Sequence, residues 1–127
     1  MPQRGCHRTR GEVSSWCRYR PGPGVPSSAR LLRHVVLWSF KEAVPPEERD
    51  AVLEAIRGLR AKVPSLRSLE VGENRSPARA HGYTHVLVET FDDQAGLTAY
   101  STHPEHLPVA ARMRAAAAEV LAVDLEA

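Results

Sequence analysis

The run His34-Val35-Val36-Leu37-Trp38-Ser39-Phe40, residues 34–40, decides the fold class of this chain. It is rich in β-branched and aromatic side chains, which predicts a strand buried on at least one face. Pro45 and Pro46 are followed by two acids, and this pattern marks a helix start because proline and carboxylates both suit a first turn. Apolar side chains then recur at helical spacing until Pro64, which is expected to end the helix.

Beyond that helix the sequence predicts two more strands and a short helix. Residues 66–71 alternate apolar and polar side chains, and residues 83–91 form a longer β-branched run. Asp92 or Asp93 is expected to cap a short helix that carries Leu97 and Tyr100 on one face.

The last part of the chain completes the pattern. His103-Pro104 breaks the helical region, because a residue before proline avoids helical geometry. A further helix is expected to carry Val109, Met113, Ala116, Ala117 and Val120. Residues 120–125 are expected to form a fourth strand.

The predicted order is β-α-β-β-α-β, which is the ferredoxin-like arrangement of an α+β domain. We expect a four-stranded antiparallel sheet with its helices on one face, spanning residues 31–127. The other face of such a sheet is partly apolar and needs cover, which a second copy of the chain can supply. The sequence therefore predicts a homodimer.

Residues 1–30 differ in composition from the rest of the chain. They hold six arginines and one acid, and residues 21–28 are rich in proline and glycine. This composition predicts a disordered extension, which we interpret as a dispensable leader. An arginine-rich arm for nucleic acid or an acidic partner is an alternative, as is an organellar transit peptide. A metal site of Cys6, His7 and Cys17 is not favoured, because their spacing matches no common zinc pattern.

Charge and cysteine content narrow the function classes. Residues 31–127 carry 11 basic and 14 acidic side chains, so they offer no basic footprint for nucleic acid. Both cysteines lie within residues 1–30, which fits a reducing compartment. No apolar run approaches the roughly 18 residues of a membrane span, and the N-terminus lacks the apolar core of a signal peptide. We expect a cytoplasmic protein with no membrane partner.

Three motifs together resemble one known family. They are Arg33-His34-Val35-Val36-Leu37, Gly82-Tyr83-Thr84-His85 and Tyr100-Ser101-Thr102-His103-Pro104-Glu105-His106, and a terminal Val-Asp-Leu-Glu follows them. In this order they resemble the stress-responsive dimeric α/β-barrel (Dabb) family over nearly all of residues 31–127. The resemblance implies a homodimeric α/β barrel with a pocket between sheet and helices. Most members of that family have no established activity.

The resemblance also implies a site. A plant polyketide cyclase of this family uses a tyrosine and a histidine without a cofactor, and the matching catalytic candidates here are Tyr100 and His106. By the same resemblance, the expected pocket lining is His34, Val36, Trp38, Val52, Leu53, Ile56, His85, Leu87, Val109, Met113 and Ala117. The first helix is aliphatic here where the cyclase is aromatic, so the substrate of that enzyme is not carried over.

The proposed chemistry of Tyr100 and His106 is coherent. A histidine titrates near neutral pH and can remove a proton beside a carbonyl, while a tyrosine hydroxyl can donate to the resulting enolate oxygen. The alternative is that these groups only satisfy the backbone at a helix start. We favour a structural role for His85 and His103.

Several functions stay open at this point. The first is a stress-associated protein that binds a small apolar or carbonyl-bearing ligand, and the second is a cofactor-free polyketide-cyclase-like enzyme. A cofactor-free monooxygenase is a third. We expect no cofactor, because nucleotide-binding motifs are absent, and no metal, because the histidines lack a completing carboxylate or thiolate. Whether Glu89 faces the pocket depends on a strand register that the sequence does not determine.

Overall fold

The computed structural model describes residues 30–127, and the predictions for residues 1–29 lie outside this described part of the chain. In chain order the elements are β1 (Leu32–Phe40), α1 (Pro46–Lys62), β2 (Ser68–Glu73), β3 (His85–Phe91), α2 (Gln94–Ser101), α3 (His106–Ala116) and β4 (Ala117–Glu126). A short 3₁₀ helix, Pro77–Ala80, lies between β2 and β3. The sheet order is β2-β3-β1-β4, with all neighbours antiparallel. The predicted ferredoxin-like α+β fold is confirmed.

The helix ends follow from local sequence. α1 begins at Pro46 with Glu47 and Glu48 in its first turn, and it has basic residues in its last turn. α2 is capped by Asp93, whose side chain accepts a hydrogen bond from the backbone N–H of Gly96 at 2.9 Å. Of the two candidates, Asp92 and Asp93, it is therefore Asp93 that caps the helix.

The predicted end of the last helix is wrong. Ala117 and Val120, which were assigned to it, belong to β4, since α3 ends at Ala116. Ala117 is extended and pairs with Phe40 beyond a register shift in β1. Residues 115–118 are all alanine, so the sequence favours helix there and contains no stop signal. Pairing with β1 decides the boundary instead.

Two other predicted strands are displaced by two residues at one or both ends. β2 is Ser68–Glu73 rather than residues 66–71, and β3 begins at His85 rather than at residue 83. Leu66 is 2% exposed although it precedes β2. Its burial therefore explains the apolar pattern that suggested an earlier strand start.

The two faces of the sheet are different. Val36, Trp38 and Phe40 of β1 are buried with residues of α1 and α3 in one core cluster. The opposite face, here called the open sheet face, carries the apolar residues Val35, Leu37, Val86, Val88, Leu121, Val123 and Leu125, as the strand registers show. Its β4 members Leu121, Val123 and Leu125 are 46%, 51% and 55% exposed. A large apolar surface is thus left uncovered in the single chain.

Candidate ligand cavity

A cavity of about 250 Å³ lies between the sheet and the helices, on the covered face. Its walls come from β1, β3 and β4 and from all three α-helices. Val36 and Ile56 in its wall belong to the core cluster described above, and Leu59 and Tyr100 belong to a second core cluster that includes Phe91. The cavity therefore separates two packed regions. Its ionisable wall residues are His34, Glu89, Tyr100, His106 and Arg114.

Glu89 and Tyr100 form a buried pair in the cavity wall. Glu89 is 0% exposed and Tyr100 is 3% exposed. The hydroxyl of Tyr100 donates a hydrogen bond to Oε2 of Glu89. Burial raises the pKa of Glu89 to about 7, against the lowering effects of Tyr100 and His34. Burial and the neighbouring carboxylate raise the pKa of Tyr100 well above its ordinary value, so its hydroxyl keeps its hydrogen.

His106 begins α3 and packs on Tyr100, with their ring centroids 4.1 Å apart. Its Nδ1 lies 3.2 Å from the backbone carbonyl oxygen of Ser101. A carbonyl oxygen only accepts, so Nδ1 carries the hydrogen and Nε2 of the neutral ring keeps its lone pair. Burial lowers the pKa of His106, which favours this neutral ring at pH 7. His106 thus lines the cavity as a neutral ring with an unprotonated Nε2.

His34 and Asp124 extend a polar row across the sheet. The registers align Glu89 of β3, His34 of β1 and Asp124 of β4. Nδ1 of His34 lies 2.5 Å from Oδ1 of Asp124. A carboxylate at Nδ1 fixes the orientation of an imidazole. The row brings three ionisable groups to one level of the sheet, and two of them, Glu89 and His34, line the cavity.

The structure gathers most of the predicted site residues at this cavity. These are His34, Val36, Ile56, Leu87, Tyr100, His106, Val109 and Met113. Five others lie outside the lining: Trp38, Val52, His85 and Ala117 are buried in the core, and Leu53 packs against it. The predicted pocket extended too far along β1, because stacked rings fill that end of the sheet.

His85 belongs to that ring cluster. Its ring centroid lies 5.5 Å from Trp38 and 4.8 Å from Phe40. Its Nδ1 is 2.9 Å from Oγ1 of Thr84, and burial lowers its pKa. His103 instead accepts a hydrogen bond on Nδ1 from the backbone N–H of Glu105 at 3.0 Å. Both histidines have the packing and turn contacts expected of structural residues.

Eight residues line the cavity that were not among the predicted site residues. They are Leu59, Glu89, Ser101, Leu107, Ala110, Arg114, Val120 and Ala122. Helical spacing from Ile56 and from His106 points to Leu59 and Ala110. Glu89 lies two residues from Leu87 and from Phe91 on β3, so all three point to the same face of the strand. This alternation indicates that Glu89 is buried.

Two classes of site are not found in residues 30–127. No group of three or more His, Cys, Asp or Glu side chains is placed to hold a metal ion there. No helix in the same described range is long and apolar enough to cross a membrane.

The fold and cavity define a small ferredoxin-like α+β domain with a site under its helices. The sequence profile described as "Stress responsive A/B Barrel Domain" (Dabb) matches residues 32–127. The chain belongs to this family, as its motifs predicted. A related protein is stress-response A/B barrel domain-containing protein HS1 of Arabidopsis thaliana, 29% identical over 94 residues, which are 73% of this chain and 86% of that protein.

Solved structures share the fold. A hydroxynitrile lyase from Passiflora edulis is 22% identical with a TM-score of 0.72, over 76% of this chain and 93% of that one. A dimeric ferredoxin-like protein of unknown function from Bacteroides fragilis is 32% identical with a TM-score of 0.64, over 76% and 96%. Neighbours from Thermobifida fusca and Jannaschia are likewise described as dimeric. The lyase is too distant in sequence to show more than the fold.

Proposed function

We propose that this protein is a homodimer that binds a small, mostly apolar molecule in the cavity beside Tyr100 and His106. The observation that carries the proposal is a cavity of about 250 Å³ whose mainly aliphatic wall holds a few ionisable side chains. Ligand sites combine apolar walls with a few polar groups in this way. An association with stress responses, from the family description, and a cytoplasmic location, from the sequence, complete the proposal.

The open sheet face supports the homodimer. It exposes Leu121, Val123 and Leu125 on β4 by about half of each side chain. Contiguous apolar patches of this kind mark interaction sites, and a two-fold axis allows the same patch to cover itself. The dimeric description of several structural neighbours agrees with this assembly.

The binding proposal is tested by thermal-shift screening of a panel of one-ring and two-ring metabolites. We expect some compounds to raise the unfolding temperature of the wild type, and to lose that effect in His106→Ala. His103→Ala is the matched control, because His103 lies in the same turn and outside the cavity lining. Equal ligand shifts in wild type and His106→Ala would remove His106 from binding. A panel without any stabilising compound would overturn the binding proposal.

A second candidate function is cofactor-independent proton abstraction by His106, as in a polyketide-cyclase-like enzyme. The lone pair on Nε2 favours it, because Nδ1 is held by Ser101 and burial keeps the ring neutral. Acetophenone in heavy water provides a direct test, since its methyl hydrogens exchange when a base removes a proton beside the carbonyl. We expect faster exchange with wild type than with His106→Ala. Exchange at the buffer rate in both samples would exclude this function for that probe.

A further inference from the structure

Glu89 is a fully buried carboxyl group in a mainly aliphatic wall. Buried carboxylates are rare unless both oxygens find partners. Oε2 accepts the hydrogen of Tyr100, whereas Oε1 is buried and has no hydrogen-bond partner among the described residues. An unsatisfied buried oxygen in a natural protein calls for an explanation, and a bound partner is one.

Glu89 lines the cavity, and its other neighbours are apolar or already hydrogen-bonded. α1 contributes Ile56 and Leu59, and β2 places Leu69 beside Glu89. The hydrogen of Tyr100 is already committed to Oε2. His34, the neighbour on β1, directs Nδ1 to Asp124. The remaining ionisable groups of the wall, His106 and Arg114, both come from α3.

We propose that Glu89 selects the ligand of this cavity, because its free carboxyl oxygen accepts a hydrogen bond from a hydroxyl group on a small, mostly apolar molecule such as a phenol or an enol. This inference rests on the proposed binding function and names the chemical class of its ligand. It makes Glu89 a specificity-determining residue.

A neutral hydroxyl group fits the charges of the wall better than an ion. A carboxylate ligand would place a second negative charge beside Glu89 in a mainly apolar site, where like charges repel strongly. A cationic amine would share the cavity with Arg114. The raised pKa of Glu89, about 7, also suits a hydroxyl, which donates to the ionised carboxylate and accepts from the protonated acid.

The volume sets the size of the ligand. A cavity of roughly 150 Å³ holds a benzene molecule. The present cavity, at about 250 Å³, therefore has room for one ring with one or two short substituents. Such a ligand can place its apolar ring against Leu87 and Ile56 while its hydroxyl reaches Glu89.

The test compares 4-ethylphenol with its isomer 4-methylanisole, which has an ether oxygen in place of the hydroxyl donor. Dissociation constants are measured on the full chain by NMR titration at pH 8. We expect the phenol to bind wild type about tenfold more tightly, the ratio expected for one hydrogen bond to a charged group. 4-Methylbenzylamine and 4-methylbenzoate serve as the cationic and anionic probes, and we expect both to bind more weakly than the phenol.

Variants separate Glu89 from Tyr100 as the selecting residue. In Glu89→Leu, the preference for the phenol should fall, because the carboxylate acceptor is gone and only the neutral, weaker acceptor of His106 remains, while the freed hydroxyl of Tyr100 can donate to the ether. In Tyr100→Phe, the preference should persist, because Glu89 keeps its acceptor oxygens. Unfolding temperatures and circular dichroism verify that each variant is folded. If Glu89→Leu does not fold, Glu89→Gln, in which an amide replaces the carboxylate, should reduce the preference.

The outcomes distinguish this inference from the binding proposal. Equal affinity for the two isomers in wild type, or tightest binding of either ion, would overturn the role of Glu89 and leave the binding proposal standing. An unchanged phenol preference in Glu89→Leu would do the same. Failure of every probe and every panel compound to bind would overturn both.

Discussion

At Tyr100, the hydrogen of the hydroxyl decides what the residue can do. That hydrogen is donated to Glu89 in this structure. A tyrosine hydroxyl has one hydrogen, so Tyr100 cannot donate to a ligand oxygen at the same time. Protonation of Glu89 at Oε2, but not at Oε1, would free it for that purpose. The catalytic role predicted for Tyr100 therefore depends on the protonation state of a residue that the sequence analysis left unassigned.

The pKa of Glu89 predicts a pH-dependent stability. Because this pKa is raised to about 7, the folded protein keeps a proton that the unfolded chain, with the ordinary value of 4.5, has lost. The contribution of protonated Glu89 is full below pH 4.5 and is lost as the pH rises through 7. We expect wild type to lose roughly 2 to 3 kcal/mol between pH 5 and pH 8 relative to Glu89→Gln, which does not titrate. Urea unfolding at both pH values measures this difference.

The titration of His85 and His106 does not affect that comparison. Burial lowers the pKa of His85 and of His106, so their contribution to stability is present above their unfolded pKa and is lost as the pH falls. This effect has the opposite sign and is shared by wild type and Glu89→Gln. Parallel pH profiles for the two proteins would contradict the raised pKa of Glu89.

The site could be predicted from the sequence where a motif or the helical spacing marked its residues. His34, Tyr100 and His106 lie in quoted motifs, and all three reach the cavity. His85 also lies in a motif and Trp38 directly follows one, yet their rings pack on each other and fill the core. The sequence contains no signal for that difference, because it depends on how large side chains from neighbouring strands pack.

At the scale of elements, prediction succeeded where local signals are strong. α1 has proline and acids at its start and basic residues at its end, and it matches the expected span closely. The boundary between α3 and β4 falls inside residues 115–118, which are all alanine. Alanine has the highest intrinsic helix propensity, so local sequence does not explain a strand there. The strand is determined by pairing with β1. A long-range pairing of this kind has no local signature.

The cap of α2 supports the position of Tyr100, because α2 is only eight residues long. Asp93 accepts a hydrogen bond from the N–H of Gly96, and Asp93→Ala leaves that N–H without its acceptor. We expect Asp93→Ala to destabilise the protein by about 1 kcal/mol, as measured by urea unfolding. Asp92→Ala is the matched control, since exposed Asp92 pairs with exposed Arg67, and its effect should stay below about 0.5 kcal/mol. Equal losses in both variants would contradict the assigned cap.

At the scale of the whole molecule, the open sheet face predicts where the dimer can be broken. Val123 is 51% exposed on β4 and lies at the same level as Val35 and Val88. A lysine there would bury a charge between two apolar sheets, so Val123→Lys should be a folded monomer in analytical ultracentrifugation. Asp50→Lys on the exposed surface of α1 should leave the dimer intact. A dimer that survives Val123→Lys would exclude this face as the interface.

The N-terminal segment gives a separate prediction for the whole chain. The family match begins at residue 32, and Leu31 already pairs with Ala127 through two backbone hydrogen bonds. Deleting residues 1–30 should therefore leave the unfolding temperature and the sedimentation of the protein unchanged within error. A truncated protein that fails to fold or to dimerise would show that the segment is not a dispensable leader.

The central claim is that the cavity beside Tyr100 and His106 binds a small molecule, and a protein-observed NMR titration with 4-ethylphenol tests it most directly. We predict saturable chemical-shift changes centred on Leu87, Glu89, Tyr100 and His106, with little change at the open sheet face. Shifts that do not saturate, or that cluster away from these residues, would contradict the account.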